Sequence, residues 1–387
     1  MTKLPKPEAR PACPNFSSGP TAKRPGFSFE QLNDAALGRS HRSGLAKAKL
    51  KEAIEKTKTA LGIPADYRVA IVPASDTGAV EMCMWSMLGG KPVDIFAWES
   101  FGKDWVTDAV NELQLEDCNI HVGDYGVLPD FAAARDDADI VFTWNGTTAG
   151  VRVPNADWIK PNPDRVVICD ATSAAFAQDI EWEKLDVITY SWQKILGGEA
   201  AHGMLILSPT AVNRLETYKA PRPLPKIFRM LKGGKLNEGL FEGVTINTPS
   251  MLCTEDYIQA LNWVESLGGW TALKARSDES LAILTEWEAR TDWVEFLCKD
   301  DDVRSNTGVC FLLADPRVKA MDEAGQRDIV KKLTGLLDKE GVAYDFGGYA
   351  KAPPGLRIWC GGTVEPSDVK ALLPWLDWGF QEVAATL

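Results

Sequence analysis

From residue 43 onward, apolar positions along the chain switch repeatedly between helical and strand spacing. Leu45, Leu50, Ile54 and Leu61 recur at roughly helical intervals behind Ser43, a residue suited to capping, and predict a helix from Ser43 to Leu61. Compact apolar runs at Tyr67–Val72, Val93–Trp98, Ile140–Trp144, Val166–Cys169 and Val187–Tyr190 predict short strands, with another at Gly203–Leu207. Helical patterns at Ala79–Leu88 and Lys103–Leu113 fall between the first of them. Such alternation implies an α/β fold whose large domain holds a mostly parallel sheet flanked by helices. Functional groups in these sheets gather at the carboxyl ends of the strands. The turns 74–78, 145–150, 170–173 and 191–198 are therefore expected to converge.

Further along, the pattern changes. Residues 218–254 are rich in Pro, Lys, Arg and Gly and read as a long ordered loop of the kind that carries function or an interface. Beyond them, helices are expected at 254–267, 271–290, 323–340 and 367–385, the last begun by the cap Ser367. Strands are expected at Gly308–Leu313, Val342–Phe346 and Leu356–Cys360. The expected organisation is an N-terminal arm at 1–14, a large domain at 15–253 and a smaller C-terminal α+β domain at 254–387.

Composition narrows the class only a little. With 387 residues, 45% hydrophobic and 25% charged, the chain has the make-up of a soluble globular protein. Its net charge of −12 argues against nucleic acid or an anionic membrane as partner, so an anionic substrate would need a local basic pocket. Eight cysteines, at 13, 83, 118, 169, 253, 298, 310 and 360, form no CxxC pair and read as reduced thiols, some buried in apolar runs. The first residues, MTKLPKPEARPACPN, are proline-rich and lack an apolar signal region. A cytoplasmic location is the expectation.

Two strand ends carry the chemistry. The run Leu185–Tyr190 leads into Ser191-Trp192-Gln193-Lys194 and Gly197-Gly198, which places one lysine at the lip of the sheet. There a partly desolvated amine loses charge and becomes a nucleophile toward a carbonyl. One strand earlier, Arg165-Val-Val-Ile-Cys-Asp170-Ala-Thr-Ser173 ends in an aspartate. A carboxylate that keeps a pyridine nitrogen protonated, beside a lysine that holds an aldehyde as a Schiff base, is what pyridoxal 5'-phosphate (PLP) requires.

Other stretches are ambiguous alone. Ser75-Asp76-Thr77-Gly78 suits a phosphate cradle or an ordinary N-cap. Asn145-Gly-Thr147-Thr-Ala-Gly150 suits a hydroxyl contact to a cofactor ring or a plain βα turn. Phe101 suits ring stacking or a place in the core, with Trp98 and Trp105 close by. His41-Arg42 suits anion binding or a solvated loop. Arg357 begins an apolar strand, where an unpaired charge costs several kcal/mol, so it pairs with a carboxylate ligand or with a structural acid. No HExxH, GxSxG, Walker or Rossmann glycine signature occurs, and the His and Cys residues form no plausible metal cluster.

Taken in order, Asn15-Phe-Ser-Ser-Gly-Pro-Thr21, Ser40-His-Arg-Ser43, Asn145-Gly-Thr147, Asp170, Gln193-Lys194 and Asn247-Thr248-Pro249 resemble the phosphoserine aminotransferase family, a class V group of the PLP-dependent fold type I. The resemblance covers residues 14–385. It implies a transaminase that exchanges an amino group between glutamate and 3-phosphohydroxypyruvate in serine biosynthesis, with pyridoxine biosynthesis as a further use. Another class V enzyme, such as an alanine–glyoxylate or serine–glyoxylate aminotransferase, is the alternative. The distal anion site implied at His41-Arg42 argues against that alternative.

The resemblance also implies roles. Lys194 and Asp170 are catalytic. Ser75, Asp76, Phe101, Thr147, Gln193, Asn247 and Thr248 bind the cofactor, the last two from a neighbouring subunit of a homodimer with shared sites. Ser18, His41, Arg42 and Arg357 bind small amino-acid and keto-acid substrates. Three departures stand out. The phosphate loop has Ser-Asp-Thr in place of a basic residue, and phenylalanine occupies the usual tryptophan stacking position. The stretch before Arg357 lacks a His-Arg pair, which leaves Lys351 as the candidate helper.

Overall fold

The computed structural model describes residues 4–387; the first three residues of the expected arm lie outside it. The first helix, α1 (Gly44–Leu61), begins where Ser43 accepts a hydrogen bond from the Ala46 N–H and ends at Gly62 in a left-handed conformation, φ 64°. Its buried face is Ala46, Leu50, Ala53, Ile54, Thr57 and Leu61, a spacing of three and four. Leu45, expected on that face, is 48% exposed, because Ala46 occupies the inward position one residue later.

Strands β1 (Arg68–Pro73), β2 (Val93–Ala97), β3 (Cys118–Val122) and β4 (Asp139–Thr143) follow. A two-residue ladder, β5 (Asn145–Gly146) with β6 (Val151–Arg152), closes the next loop. Then come β7 (Val167–Asp170), β8 (Val187–Ser191) and β9 (His202–Leu207). The main sheet runs β1-β9-β8-β7-β4-β2-β3. Only β9 is antiparallel to its neighbours, so β1, β2, β4, β7 and β8 all end at the same edge. These central strands are buried on both faces, which is why they read as continuous apolar runs. Edge strand β3 alternates polar and apolar residues, is half-exposed, and was not expected from the apolar pattern.

Helix α2 (Ser75–Met87) starts four residues before the expected Ala79, directly at the strand end. Helix α3 (Ser100–Thr107) also starts early, because the Glu99 carboxylate accepts the Gly102 N–H at 2.8 Å; it continues as one wider turn, Asp108–Glu112. After α4 (Pro209–Thr217), the stretch expected as a loop carries a hairpin of β10 (Leu231–Lys232) and β11 (Lys235–Leu236). Its Phe228, Met230, Leu236, Leu240 and Phe241 are buried in the same core as α2.

The division expected at 253/254 falls inside α5 (Met251–Ser266). That helix packs on α1, where the Tyr257 hydroxyl lies 2.8 Å from Thr57 Oγ1 and 2.7 Å from the Tyr190 hydroxyl of β8. The smaller lobe follows with α6 (Trp270–Glu288), β12 (Val294–Phe296), β13 (Gly308–Leu313), α7 (Pro316–Lys319), α8 (Glu323–Lys339), β14 (Gly355–Trp359) and α9 (Pro366–Ala384). Its sheet is antiparallel, β12-β13-β14. The expected strand Val342–Phe346 is absent, because Asp345 turns left-handed (φ 53°) and only Tyr344 makes a bridge, to Asn15. Glu365, with Pro366 at the first helical position, replaces Ser367 as the start of α9. Among the described residues no helix is long and apolar enough to cross a membrane.

Candidate active site

The five parallel strand ends do converge. β1 delivers Ser75 and Asp76, β2 delivers Glu99 and Phe101, β4 delivers Thr147, β7 delivers Asp170, and β8 delivers Gln193 and Lys194. Thr143, Asp170 and Thr189 stand side by side in register across three strands.

Lys194 lies at the centre and is 7% exposed. Its amine makes no hydrogen bond or ion pair among the described residues; Nζ lies 5.9 Å from the Phe101 ring centre and 5.5 Å from that of Trp359. Burial, followed by the positive charge of Arg357, pushes its pKa down from 10.5 to about 8, against the pull of Asp170, Glu99 and Asp76. That is about 3 kcal/mol against the charged form. Close backbone approach packs the amine from behind. A Cβ on Gly19 would meet Lys194 Cε and Nζ at 3.2 Å, and the Thr21 N–H donates to the Gln193 carbonyl at 3.2 Å. Ser18, 5% exposed, sits between Gly19 and Phe16, whose carbonyl accepts the Trp359 N–H.

Asp170 is 6% exposed and is held from two sides. The Thr172 N–H donates to Oδ1 at 3.0 Å and the Trp105 indole N–H to Oδ2 at 3.3 Å. The three aromatics near the expected stacking position therefore have separate tasks. Phe101 faces Lys194, Trp105 fixes the aspartate, and Trp98 is buried against Phe131. The Thr147 hydroxyl donates to Ser173 Oγ at 2.7 Å, within a buried network in which Asn145 donates to Ser173 and Thr307. Because Thr307 and Asn306 belong to the smaller lobe, this network ties the two lobes together beneath the site.

Before α2 the backbone is contorted. Ala74 and Ser75 both adopt left-handed conformations, φ 67° and 58°, and a Cβ on Gly203 would meet the Ser75 carbonyl at 2.3 Å. Ser75 bridges to His202, whose Nε2 accepts the Ser250 N–H at 3.0 Å; burial holds that imidazole down at about 4, so it is neutral. The Asp76 carboxyl turns inward against Asp170, so its side chain does not serve an anion, which is left to the backbone and the hydroxyls of this turn.

From the smaller lobe, Arg357 on β14 comes within electrostatic reach of Lys194. It makes no ion pair among the described residues, and its Nε is buried without a hydrogen-bond partner. Burial lowers its pKa. Its guanidinium lies 6.0 Å from the Tyr349 ring, which in turn lies 5.8 Å from Phe101. The guanidinium is half-buried, and Glu99 acts on it only through space, so its fork of donors is left for a ligand carboxylate.

The remaining expected residues stay outside. His41 and Arg42 occupy the turn before α1, with Arg42 exposed, and neither side chain bonds to the Lys194 group. Asn247 and Thr248 are both exposed. Lys351 is exposed and lies 3.6 Å from Asp104 of α3. Sequence reasoning left out Glu99, Trp105 as a partner of Asp170, Tyr349 and His202. For Glu99 a signal existed, since it follows directly on the strand run ending at Trp98. Trp105 and Tyr349 reach the site through helix and loop geometry that no spacing encodes.

A lysine kept partly neutral, a carboxylate held by N–H donors and an unpaired arginine form a donor set that fits pyridoxal phosphate and an amino-acid carboxylate. No family model matches the chain. It is 54% identical to the phosphoserine aminotransferase of Methanosarcina barkeri over 98% of this chain and 100% of that one. Among solved structures it is similar to a phosphoserine aminotransferase from Cytophaga hutchinsonii, with a TM-score of 0.78 and 20% identity over 94% of this chain and 97% of that one. The PLP-bound phosphoserine aminotransferase of Trichomonas vaginalis shares the fold as well, with a TM-score of 0.75 and 20% identity over 94% and 99%.

Proposed function

The chain belongs to the phosphoserine aminotransferase family, and from that premise we propose that it is a PLP-dependent transaminase interconverting 3-phosphohydroxypyruvate and glutamate with O-phosphoserine and 2-oxoglutarate. The observation that carries this reading is Arg357, a half-buried guanidinium that makes no ion pair among the described residues, within electrostatic reach of a lysine whose pKa is pushed down to about 8.

In this reading Lys194, Asp170, Phe101, Thr147, Gln193 and the backbone at Ser75 and Asp76 hold the cofactor. Asn247 and Thr248 of a second copy complete the cradle in a homodimer. Their exposure in the single chain supports this assignment. When bound, pyridoxal phosphate supplies the electron sink for charge that develops at the substrate α-carbon.

The chain's own residues do the rest. Arg357 grips the substrate α-carboxylate with a planar fork of donors, a geometry lysine cannot reproduce. Lys194 Nζ, neutral for a substantial fraction of molecules near pH 8, takes the α-proton and returns it. Asp170, fixed by the Thr172 and Trp105 N–H groups, keeps a negative charge at the carboxyl end of β7. Phe101 and Trp359 wall the amine from water.

Glutamate and phosphoserine both present an anion at the far end from the α-carbon, and His41 and Arg42 are assigned to bind it, while Ser18 is assigned with Arg357 to the α-carboxylate. The test is a substrate profile. Arg42→Ala should slow glutamate and phosphoserine together, by about ten- to a hundredfold in kcat/KM for a lost charged hydrogen bond. Alanine, which has no distal anion, should be spared. Equal slowing of alanine, or preference of the unaltered protein for glyoxylate over the phosphorylated keto acid, would remove this substrate assignment.

A further inference from the structure

The side chains of two acidic residues of the strand-end cluster have no part in the cofactor reading; Glu99 is taken up by the Gly102 N–H and the Thr148 hydroxyl, which leaves Asp76. A carboxylate aimed at a phosphate would repel it. The side chain is instead folded under the sheet edge, 6% exposed, in contact with the carboxyl of Asp170 and beside the hydroxyls of Thr172 and Thr189. Asp76 Oδ1, Thr172 Oγ1 and Thr189 Oγ1 are all buried without a hydrogen-bond partner. Cys83 on α2, Cys169 on β7 and Lys194 lie within electrostatic reach of the pair.

Two carboxylates in buried contact cannot both be ionised, so the pair holds a proton. Which oxygen carries it follows from the donors. Asp170 receives two N–H hydrogen bonds, which stabilise its ionised form, whereas Asp76 receives none from the backbone. Asp76 has only the Thr172 and Thr189 hydroxyls beside it, whose downward pull on its pKa is outweighed by burial and by Asp170. We propose that Asp76 is a positioning residue that stays a neutral acid and donates its O–H to Asp170, so that the pair presents a single negative charge to the cofactor's ring nitrogen. Burial first, and then the charge of Asp170, raises the Asp76 pKa well above the usual carboxylate range, in keeping with that assignment. The departure of this loop from a basic to an acidic residue then has a physical reason. Its side chain serves the nitrogen end of the ring, while the backbone serves the phosphate.

The proposal rests on the reading of Asp170 as the ring-nitrogen partner, and the experiment separates the two. Infrared spectra of the holoenzyme at neutral pH should show the carbonyl band of a buried protonated carboxylic acid, and Asp76→Asn should abolish it. The cofactor dissociation constant should rise about tenfold or more in Asp76→Ala, which removes the donor to a charged acceptor. It should stay within about threefold in Asp76→Asn, whose amide donates from the same place. Absence of the band in the unaltered protein, its survival in Asp76→Asn, or equal loss of cofactor in both variants would overturn the proposal. In Asp170→Asn the visible absorbance of the bound cofactor should lose its normal pH dependence. If that absorbance is unchanged while the infrared band still maps to Asp76, the carboxyl pair stands and the ring-nitrogen reading falls.

Discussion

Two groups of residues carry the chemistry this sequence suggests, and the fold treats them in opposite ways. Lys194 and Asp170 are buried in one cluster with the half-buried Arg357, and neither cation of the three makes an ion pair among the described residues. Arg42, Asn247, Thr248 and Lys351 lie exposed on the surface. Lys194 and Asp170 owe their placement to the parallel sheet, which brings its strand ends to one edge whatever loops connect them, and Arg357 meets them from β14 of the smaller lobe. Within the second group, Lys351 has a side-chain partner in its own chain, Asp104 of α3. In the proposed reading, one chain builds the reacting half of the site and a second copy supplies the anchoring half.

That contrast can be broken at several points. The largest effect is expected at the buried centre: Lys194→Ala should leave a folded protein with no transamination and no covalently held cofactor. Borohydride reduction of the unaltered protein should fix the cofactor at Lys194; fixation at Lys184 or Lys219 would refute the assignment. The pKa of about 8 also sets a pH dependence. The amine is increasingly protonated below that value, so capture of the aldehyde by cofactor-free protein should slow about tenfold per pH unit on the acid side and level off above it.

Next in size is the exposed group. Protein altered at both Asn247→Ala and Thr248→Ala should lose most of its activity, and mixing it with Lys194→Ala protein should restore some, since each mixed dimer keeps one intact site. Failure to recover activity, or a fully active monomer in solution, would dissolve the distinction between the two halves.

Arg357→Lys comes third. It keeps the charge but loses the fork, and kcat/KM for every amino-acid substrate, alanine included, should fall about ten- to a hundredfold. An effect confined to substrates with a distal anion would move Arg357 from the α-carboxylate to the far end. The smallest change is expected at Lys351→Ala. Its pairing with Asp104 is a surface contact worth at most about 1 kcal/mol, so stability should hardly change. Phosphoserine should be weakened more than glutamate; equal treatment of both would remove Lys351 as helper.

What the sequence by itself determined was the order of elements and the strand ends that bear chemistry. Apolar runs at Val93–Trp98, Ile140–Trp144 and Val187–Tyr190 must be buried wherever the chain places them, and a residue that follows such a run has to emerge at its end. Lys194 and Asp170 were legible for that reason. Leu45, Val342–Phe346 and Ser367 were misread because neighbouring residues compete for the same face or cap, and one position decides between them.

Only the tertiary structure decided which groups touch across distant segments. It turned Asp76 away from the phosphate turn toward Asp170, and it gave Trp105 rather than Trp98 the task of holding that carboxylate. It also left Arg357 Nε without a hydrogen-bond partner among the described residues. Charge, burial and hydrogen bonding at such points depend on what the folded chain brings within a few ångströms, and residues far apart in sequence carry no local pattern that records it.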